Sequence, residues 1–315
     1  MKRGPAAGLT GAGLTALAAA GAARVAYAAL KRFPPGGATT WTRTNHRGEP
    51  VTLLEGPAVA LGAVAAVCFF SSERTRISAR TRLALATAGA GALGFGVYDD
   101  LAGSGKRRGL RGHLGALANG EVTTGAVKLG GLGATGLASA LLLGGDPADV
   151  AVNAGLVAGG ANLLNLFDLR PGRAIKVATG SAALIAAGGG ASGRRAVAAP
   201  LGAALALLPD DLGERTMLGD AGANAIGAML GGAAAASLPR PARIALLAGI
   251  VALTGASEKV SFTKVIERTP ALRWLDMLGR RPPVAVPAPR RDPESAGVGS
   301  GRSEEDSGTN RRQDP

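Results

Sequence analysis

Residues 221–238 read AGANAIGAMLGGAAAASL and contain no charged side chain. A helix of this composition has no polar face to turn towards water, and its length matches the hydrocarbon thickness of a bilayer. Similar apolar blocks recur along the chain, for example at 51–70 and 122–143. The many Gly and Ala residues allow helices to approach each other closely in lipid. The pattern predicts an all-α fold, a polytopic bundle of transmembrane helices.

The apolar blocks predict about nine spans, and the basic residues between them predict the orientation. With the N-terminus outside, the inner segments hold 17 Lys and Arg up to Arg281 and the outer segments hold 8. Basic residues favour the cytoplasmic side, so the inner segments are interpreted as cytoplasmic. The predicted spans are 6–30, 51–70, 83–98, 122–143, 148–166, 174–190, 195–208, 221–238 and 241–256.

The composition changes near the C-terminus. Residues 282–315 are rich in Pro, Gly, Ser, Arg and acidic residues and almost lack large apolar side chains. Such a segment cannot bury enough apolar surface to offset the entropy lost on ordering. We therefore expect a membrane domain at 1–281 and a disordered cytoplasmic tail at 282–315.

Composition also excludes some classes of protein and site. A single cysteine, Cys68, excludes a disulfide within the chain and a site built from several cysteines. The formal net charge of +13 comes from residues between the apolar blocks. Charges placed there fix topology and meet anionic headgroups, so the sequence does not indicate a nucleic-acid partner.

Four aspartates stand where predicted inner loops meet predicted spans. Asp99 and Asp100 end the third span, Asp168 follows the fifth, and Asp220 begins the eighth. Carboxylates at one membrane boundary can converge on one site, and adjacent carboxylates repel unless they share a cation or a proton. A hard cation such as Mg²⁺ accepts oxygen ligands and bridges to phosphate. The alternative is that each aspartate only caps a helix or is solvated.

Basic and amide side chains accompany these aspartates. Clustered Lys and Arg beside a metal-bound carboxylate are typical surroundings of a phosphate or diphosphate, although topology alone also explains basic loops. Asn162 and Asn165 are three residues apart on one helical face before Asp168, where amides bond a neighbouring helix or a ligand. The basic residues concerned are Lys106, Arg107, Arg108, Arg111, Arg170 and Arg173.

Three segments resemble motifs of one enzyme family. Residues 94–103 read GFGVYDDLAG and precede the basic segment 106–113; together they resemble the Asp-Asp loop of the polyprenyl-phosphate N-acetylhexosamine-1-phosphate transferases. Residues 162–168, NLLNLFD, are similar to that family's Asn-x-x-Asn-x-x-Asp segment, and residues 218–222, LGDAG, to its Met-Gly-Asp-x-Gly segment. The order and spacing of the three agree, and the likeness extends from about residue 1 to 280.

The resemblance implies a reaction and a set of roles. Members of this family, glycosyltransferase family 4, move a sugar 1-phosphate from a UDP-sugar to polyprenyl phosphate and release UMP, with Mg²⁺ and with Mn²⁺ as an alternative. They include phospho-N-acetylmuramoyl-pentapeptide transferase and UDP-N-acetylglucosamine-1-phosphate transferase. The resemblance makes Asp99 the candidate base, places Asp100 beside it as a second catalytic residue, and makes Asp220 and Asp168 metal ligands. It further implies a bacterial plasma membrane, a cytoplasmic active site, cell-envelope or peptidoglycan precursor synthesis, and a second copy of the chain as a candidate partner.

The sequence departs from the family pattern at some positions of the expected substrate site. Pro171 stands where the family carries a second carboxylate after the asparagine motif, and Met217 where an aromatic stacks on uracil. The His-rich motif of the last inner loop is missing, and Arg170, Arg173, Lys259 and Lys264 could replace its diphosphate contacts. The expected substrate contacts are Asn165, Asn162, Lys106, Arg108, His46, Arg170 and Arg173.

Two other functions stay open at the level of sequence. A catalytically silent relative that binds lipid phosphate as a scaffold or regulator of envelope synthesis would explain Pro171 and the missing His motif. A transporter or channel would use carboxylates for ions or protons. Its charges would be expected within spans and beside broken helices, whereas here they lie at span ends.

Overall fold

Twelve α-helices and one short hairpin form the described part of the chain. The computed structural model describes residues 5–70, 77–102 and 123–282, with side chains from residue 11 onward. Lys106, Arg108 and the predicted tail beyond Pro282 lie outside these ranges. The elements are α1 (Pro5–Arg32), α2 (Ala38–Trp41), β1 (Thr42–Thr44), β2 (Pro50–Thr52), α3 (Glu55–Ala65, continued by a π-helical turn at Ala66–Phe70), α4 (Ala79–Ala102), α5 (Thr124–Leu143), α6 (Pro147–Phe167), α7 (Arg173–Gly188), α8 (Gly190–Leu212), α9 (Gly219–Ser237), α10 (Arg240–Ser257), α11 (Phe262–Arg268) and α12 (Pro270–Met277).

Each of the nine predicted apolar segments lies mainly on a helix, although segment 51–70 begins in β2, and the all-α class is confirmed. Within the described ranges, three helices are long and apolar enough to cross a membrane: Gly11–Arg32, Thr124–Leu143 and Pro147–Phe167. Helices α10 and α11 meet at a bend of 94° and would together count as a fourth. The number of nine spans is therefore not confirmed.

Helix α9 is the centre of the bundle. Every residue from Ala221 to Ala235 is buried, and the helix packs against α3, α4, α5, α6, α7 and α8. Its small side chains make this possible. A Cβ added to Gly160 of α6 would meet the carbonyl oxygen of Gly227 at 2.7 Å, so these two backbones touch without intervening side chains.

The ends of these helices place the site. The C-terminal ends of α4, α6 and α8 and the N-terminal ends of α5, α7 and α9 meet at one end of the bundle, as their hydrogen bonds show. The antiparallel pair β1–β2 covers this end and connects to the segment before α9, because the N–H of Met217 donates to the carbonyl of Thr52 at 2.9 Å. At the opposite end, Arg240 of α10 bonds Asp146, the N-cap of α6.

Candidate functional site

The first turn of α9 is held by a carboxylate from another helix. Asp100, near the end of α4, accepts hydrogen bonds from the N–H groups of Asp220 at 3.0 Å and Ala221 at 2.9 Å. These N–H groups have no partner within their own helix, and the helix dipole favours a negative charge beside them. Gly219 enters the helix at φ 62°, a conformation that favours glycine. The Gly-Asp pair of the sequence motif is thus the point at which α4 and α9 are joined.

A buried lysine joins two of the predicted carboxylates. The Nζ of Lys128, on the second turn of α5, lies 3.1 Å from Asp99 Oδ2 and also bonds Asp220 Oδ2. The Lys128 side chain is only 9% exposed, so the ammonium is largely removed from water. Three helices therefore contribute to one charged cluster, with Asp99 from α4, Lys128 from α5 and Asp220 from α9.

Sequence reasoning missed Lys128 because it lies inside the apolar block 122–143. A signal was nevertheless present. A lone lysine in an apolar span is costly and usually has a charged partner or a function.

Asp168 lies on the other side of the α9 terminus. It ends α6 as the C-cap, is half-buried, and bonds the backbone of Gly219. Burial, and then the carboxylates of Asp211, Asp220 and Asp100, raise the pKa of Asp168 well above its ordinary range. The structure thus brings together all four aspartates that the sequence singled out.

A cavity of about 230 Å³ opens beside Asp168. Three loop segments form it: the hairpin, the turn between α6 and α7, and the connection between α8 and α9. It contains His46 and Arg170, two of the expected substrate contacts, and also Pro171 and Met217, where the sequence departs from the family pattern. The lining residues are Thr44, Asn45, His46, Val51, Asp168, Leu169, Arg170, Pro171, Asp211, Glu214, Thr216, Met217 and Leu218.

Two further carboxylates line this cavity, and sequence reasoning did not select them. Asp211 accepts the N–H of Gly172 at 2.9 Å, and burial raises its pKa to about 7. Glu214 adopts φ 55° and accepts Arg47 Nε at 2.8 Å on Oε2, while its Oε1 is buried without a hydrogen-bond partner among the described residues. A non-glycine residue in this conformation is strained, which often accompanies a functional site. The signal in the sequence was the acidic composition of the loop 209–220.

Arg173 does not have the environment expected of a substrate contact. It is buried and bonds Asp276 of α12 through two nitrogens, at 2.6 and 3.1 Å, and Thr263 through Nη1 at 2.9 Å. It is not among the residues that line the cavity. Its partner lies 103 positions further along the chain, so the sequence alone did not indicate this pair.

Asn162 and Asn165 lie on the last two turns of α6, half-buried and outside the cavity lining. Asn165 is one turn beyond Ala161, which packs against Ala228 of α9. Asn224 precedes Ala228 by one turn and is fully buried, with neither side-chain polar atom partnered among the described residues. Amides of α6 and α9 therefore continue the polar cluster into the bundle.

The donor set suits a hard divalent cation, because Asp99, Asp220 and Asp168 offer carboxylate oxygens near one helix terminus. No group of three or more His, Cys, Asp or Glu within the described ranges has the geometry of a metal site. The Lys128 ammonium instead neutralises Asp99 and Asp220. A cation could bind there once this ammonium has moved.

No protein-family model matches the chain, and no curated protein matches it.

Proposed function

We propose that the protein is an integral-membrane transferase that moves a sugar 1-phosphate from a UDP-sugar to polyprenyl phosphate and releases UMP. The observation that carries this proposal is the meeting of Asp99, Asp100, Asp168 and Asp220 with Lys128 at the N-terminus of α9. The cluster combines acids and a cation at a helix N-terminus beside a cavity, as expected of a phosphoryl-transfer site. The resemblance of the three motifs supplies the substrate classes.

The residues provide positioning and charge for a diphosphate. Arg170 and His46 line the cavity and supply hydrogen-bond donors to the UDP-sugar. Lys128 supplies a positive charge beside Asp99 and Asp220. Phosphoryl transfer depends mainly on positioning and on neutralising the charge of the phosphate oxygens. The cavity of about 230 Å³ would hold the nucleotide end of the donor.

In the proposed step, an oxygen of the lipid phosphate attacks the phosphorus attached to the sugar. The bond from that phosphorus to the oxygen bridging the two phosphates breaks, and UMP leaves with this oxygen. Asp99 accepts the proton of a monoprotonated lipid phosphate and becomes neutral, and Lys128 then stabilises the negative charge on the phosphate oxygens. Asp100 positions the site by holding the first turn of α9.

Asp220 and Asp168 would hold Mg²⁺, or Mn²⁺ in its place. Such an ion would neutralise part of the negative charge of the diphosphate. Lys128 makes room for it by turning from Asp220 towards the substrate phosphates.

An apolar cavity supports a polyprenyl substrate. A space of about 170 Å³ lies between α6, α7, α9 and α10, lined by side chains such as Leu163, Leu184, Leu230 and Ile250. Gly160, also in its lining, precedes Asp168 by about 12 Å of helix at 1.5 Å per residue. A prenyl chain in this space would have its phosphate within reach of the charged cluster.

The nine-span topology, the bacterial plasma membrane and the cytoplasmic position of the site are parts of the same proposal. The topology and the side of the site rest on the apolar segments and on the excess of Lys and Arg on one side, and the bacterial plasma membrane rests on the resemblance of the three motifs. The pathway proposed is the synthesis of envelope polysaccharide or peptidoglycan precursors.

One observation favours a second candidate, a catalytically silent relative that binds lipid phosphate. Lys128 already neutralises Asp99 and Asp220, and Pro171 and Met217 alter the cavity. A protein of this kind would bind polyprenyl phosphate and release no UMP.

The test is UMP release by the purified protein in detergent with Mg²⁺, polyprenyl phosphate and a panel of UDP-sugars. We expect lipid-dependent release that Asp220→Ala abolishes. The matched control is Asp146→Asn, a carboxylate at the opposite end of α6 from Asp168. No release from wild-type protein that still binds polyprenyl phosphate would favour the silent relative.

A further inference from the structure

Helix α12 buries a charge and exposes its apolar side chains. Asp276 is its one buried residue, whereas Trp274 is 64% exposed and Leu275 50% exposed. Leu272 and the following Leu278 are also exposed, at 41% and 53%. This is the reverse of a helix that packs its apolar side onto a soluble core. Something other than water is therefore expected to cover the apolar side.

Ion pairs fix this orientation. Asp276 bonds Arg173 of α7 and also Arg280 at 2.8 Å, and its carbonyl accepts Lys176 Nζ at 2.7 Å. Breaking a buried ion pair leaves an uncompensated charge, which is strongly destabilising. The helix therefore cannot rotate its apolar side chains inward without losing Asp276 from its partners.

The position of α12 places its exposed side chains at the end of the bundle that carries the site. Helix α10 ends at Ser257, and α11 turns away from its direction by 94°. Phe262, at the start of α11, stacks on Phe167 of α6 with ring centroids 4.9 Å apart. Because Asp168 follows Phe167 directly, α11 starts near the level of the charged cluster, and the Asp276–Arg173 pair holds α12 at the start of α7, at the same end of the bundle.

The charge of this segment identifies the covering partner. Residues 258–281 contain six Lys and Arg and three acidic residues, of which Asp276 is already paired. Lys264, Arg268 and Arg273 precede the exposed Trp274 in sequence. Basic residues interleaved with Trp and Leu are typical of helices at the surface of an anionic bilayer, where an indole lies at the level of the headgroups.

We infer that α12 is an interfacial membrane helix that binds anionic phospholipid. Trp274, Leu275 and Leu278 insert at the headgroup boundary, and Arg268 and Arg273 pair with lipid phosphates. The inference rests on the membrane insertion that is part of the proposed function. Asp276 is paired with Arg173, which directly follows the turn Asp168–Gly172 in the cavity wall. Binding of α12 to the bilayer therefore fixes the height of this wall relative to the membrane surface.

The test uses Trp274 fluorescence in nanodiscs. The chain contains two tryptophans, Trp41 and Trp274, so the Trp274 signal is the difference between wild type and Trp274→Phe. With lipids brominated near the headgroup, we expect quenching of this difference signal by about twofold or more, as for an indole at the interface. Replacing neutral lipid by phosphatidylglycerol should increase the quenching, and Arg268→Gln with Arg273→Gln should remove the increase.

Three results would overturn the inference. Trp274 that is quenched by aqueous acrylamide and not by brominated lipid faces water. The Trp274 signal could instead be shielded from both quenchers in nanodiscs and become accessible to acrylamide when the protein is diluted in detergent. That result indicates a second copy of the chain as the covering partner. Quenching that is equal in neutral and anionic discs shows that lipid charge plays no part. These readouts need no turnover, so the inference can fail while UMP release succeeds; failure of the protein to insert into nanodiscs would contradict both.

Discussion

Lys128 Nζ lies 3.1 Å from the carboxylate of Asp99 and simultaneously bonds Asp220, so one ammonium is shared by acids from two other helices. Under the proposed function, this site accepts a divalent cation together with phosphate. The lysine stabilises the acids in the absence of metal, and its flexible side chain can then move to the phosphates. The following predictions test this and the packing that supports it.

Replacing Lys128 should tighten metal binding. Lys128→Gln removes the ammonium that competes for Asp99 and Asp220, and we expect Mn²⁺ affinity to rise about tenfold, equivalent to about 1.4 kcal/mol. UMP release should fall, because the charge beside the phosphates is lost. Mn²⁺ titration followed by electron paramagnetic resonance measures the affinity. Lys31→Gln, at the exposed end of α1, is the control, and equal Mn²⁺ affinities for the two variants would exclude competition at Lys128.

The contact between α4 and α9 should tolerate no methyl group. A Cβ at Gly96 would lie 2.5 Å from the carbonyl oxygen of Asp220 and 2.6 Å from the Cα of Ala221, both backbone atoms. Gly96→Ala should therefore destabilise the protein by about 1–3 kcal/mol through overpacking, and separate Asp99 from Asp220.

Gly94 offers a matched control on the same helix. A Cβ there meets nothing within 4 Å, so Gly94→Ala should raise the free energy of unfolding by about 0.5–1 kcal/mol. Thermal unfolding in detergent and UMP release give both readouts. A Gly96→Ala protein as stable and as active as Gly94→Ala would contradict the close contact.

The Arg173–Asp276 pair should lose its stabilising effect in acid. Arg173, by its hydrogen bonds and its charge, lowers the pKa of Asp276 below its ordinary value of 3.8, outweighing burial, which raises it. The folded state therefore binds the proton less readily than the unfolded chain. The stabilisation is present above pH 3.8 and is lost as the pH falls through the lower pKa of the folded state.

Asp276→Asn isolates this effect. The variant should unfold at a lower temperature than wild type at pH 7, and the difference should shrink below about pH 4. Trp274, on the same helix, reports the loss of local structure by fluorescence. A difference in unfolding temperature that stays constant from pH 7 to pH 3 would contradict the assigned pair.

Arg170 should contribute to donor binding. It lines the cavity, and within the described residues its side chain donates one hydrogen bond, to the carbonyl of the adjacent Leu169 at 3.3 Å. Arg170→Ala should raise the KM for the UDP-sugar about tenfold, with a smaller effect on the KM for polyprenyl phosphate, because one charge-assisted contact is lost. Arg240→Ala, at the other end of the bundle, should leave both values unchanged. Equal changes in both KM values for Arg170→Ala would contradict a donor contact.

The sequence predicted the helices better than the contacts between them. Long apolar segments such as 221–238 allow only one regular structure, because backbone groups in lipid must bond internally. The hairpin at Thr42–Thr52 and the short helices α11 and α12 were not predicted, since their stability comes from contacts such as Arg173–Asp276. The meeting of the aspartates was predictable, because alternate loops of an antiparallel bundle share one end.

The missed residues have a common cause. Lys128 was hidden in an apolar block, and Asp211 and Glu214 acquire their place only when the hairpin packs against the α8–α9 connection. Arg173 had a local pattern that fitted a substrate contact, and its actual partner is distant in sequence. Patterns within a segment therefore predicted the elements, whereas side-chain partners depended on the tertiary structure.

The measurement that tests the central claim most directly follows the phosphate itself. A UDP-sugar labelled with ³²P in the phosphate next to the sugar is incubated with the purified protein, Mg²⁺ and polyprenyl phosphate. We expect the label in the organic phase as a diphosphate-linked lipid, with Asp99→Asn and Asp220→Asn inactive and Asp146→Asn active. Label that stays entirely in the aqueous phase, from folded wild-type protein that binds both substrates, would contradict the account.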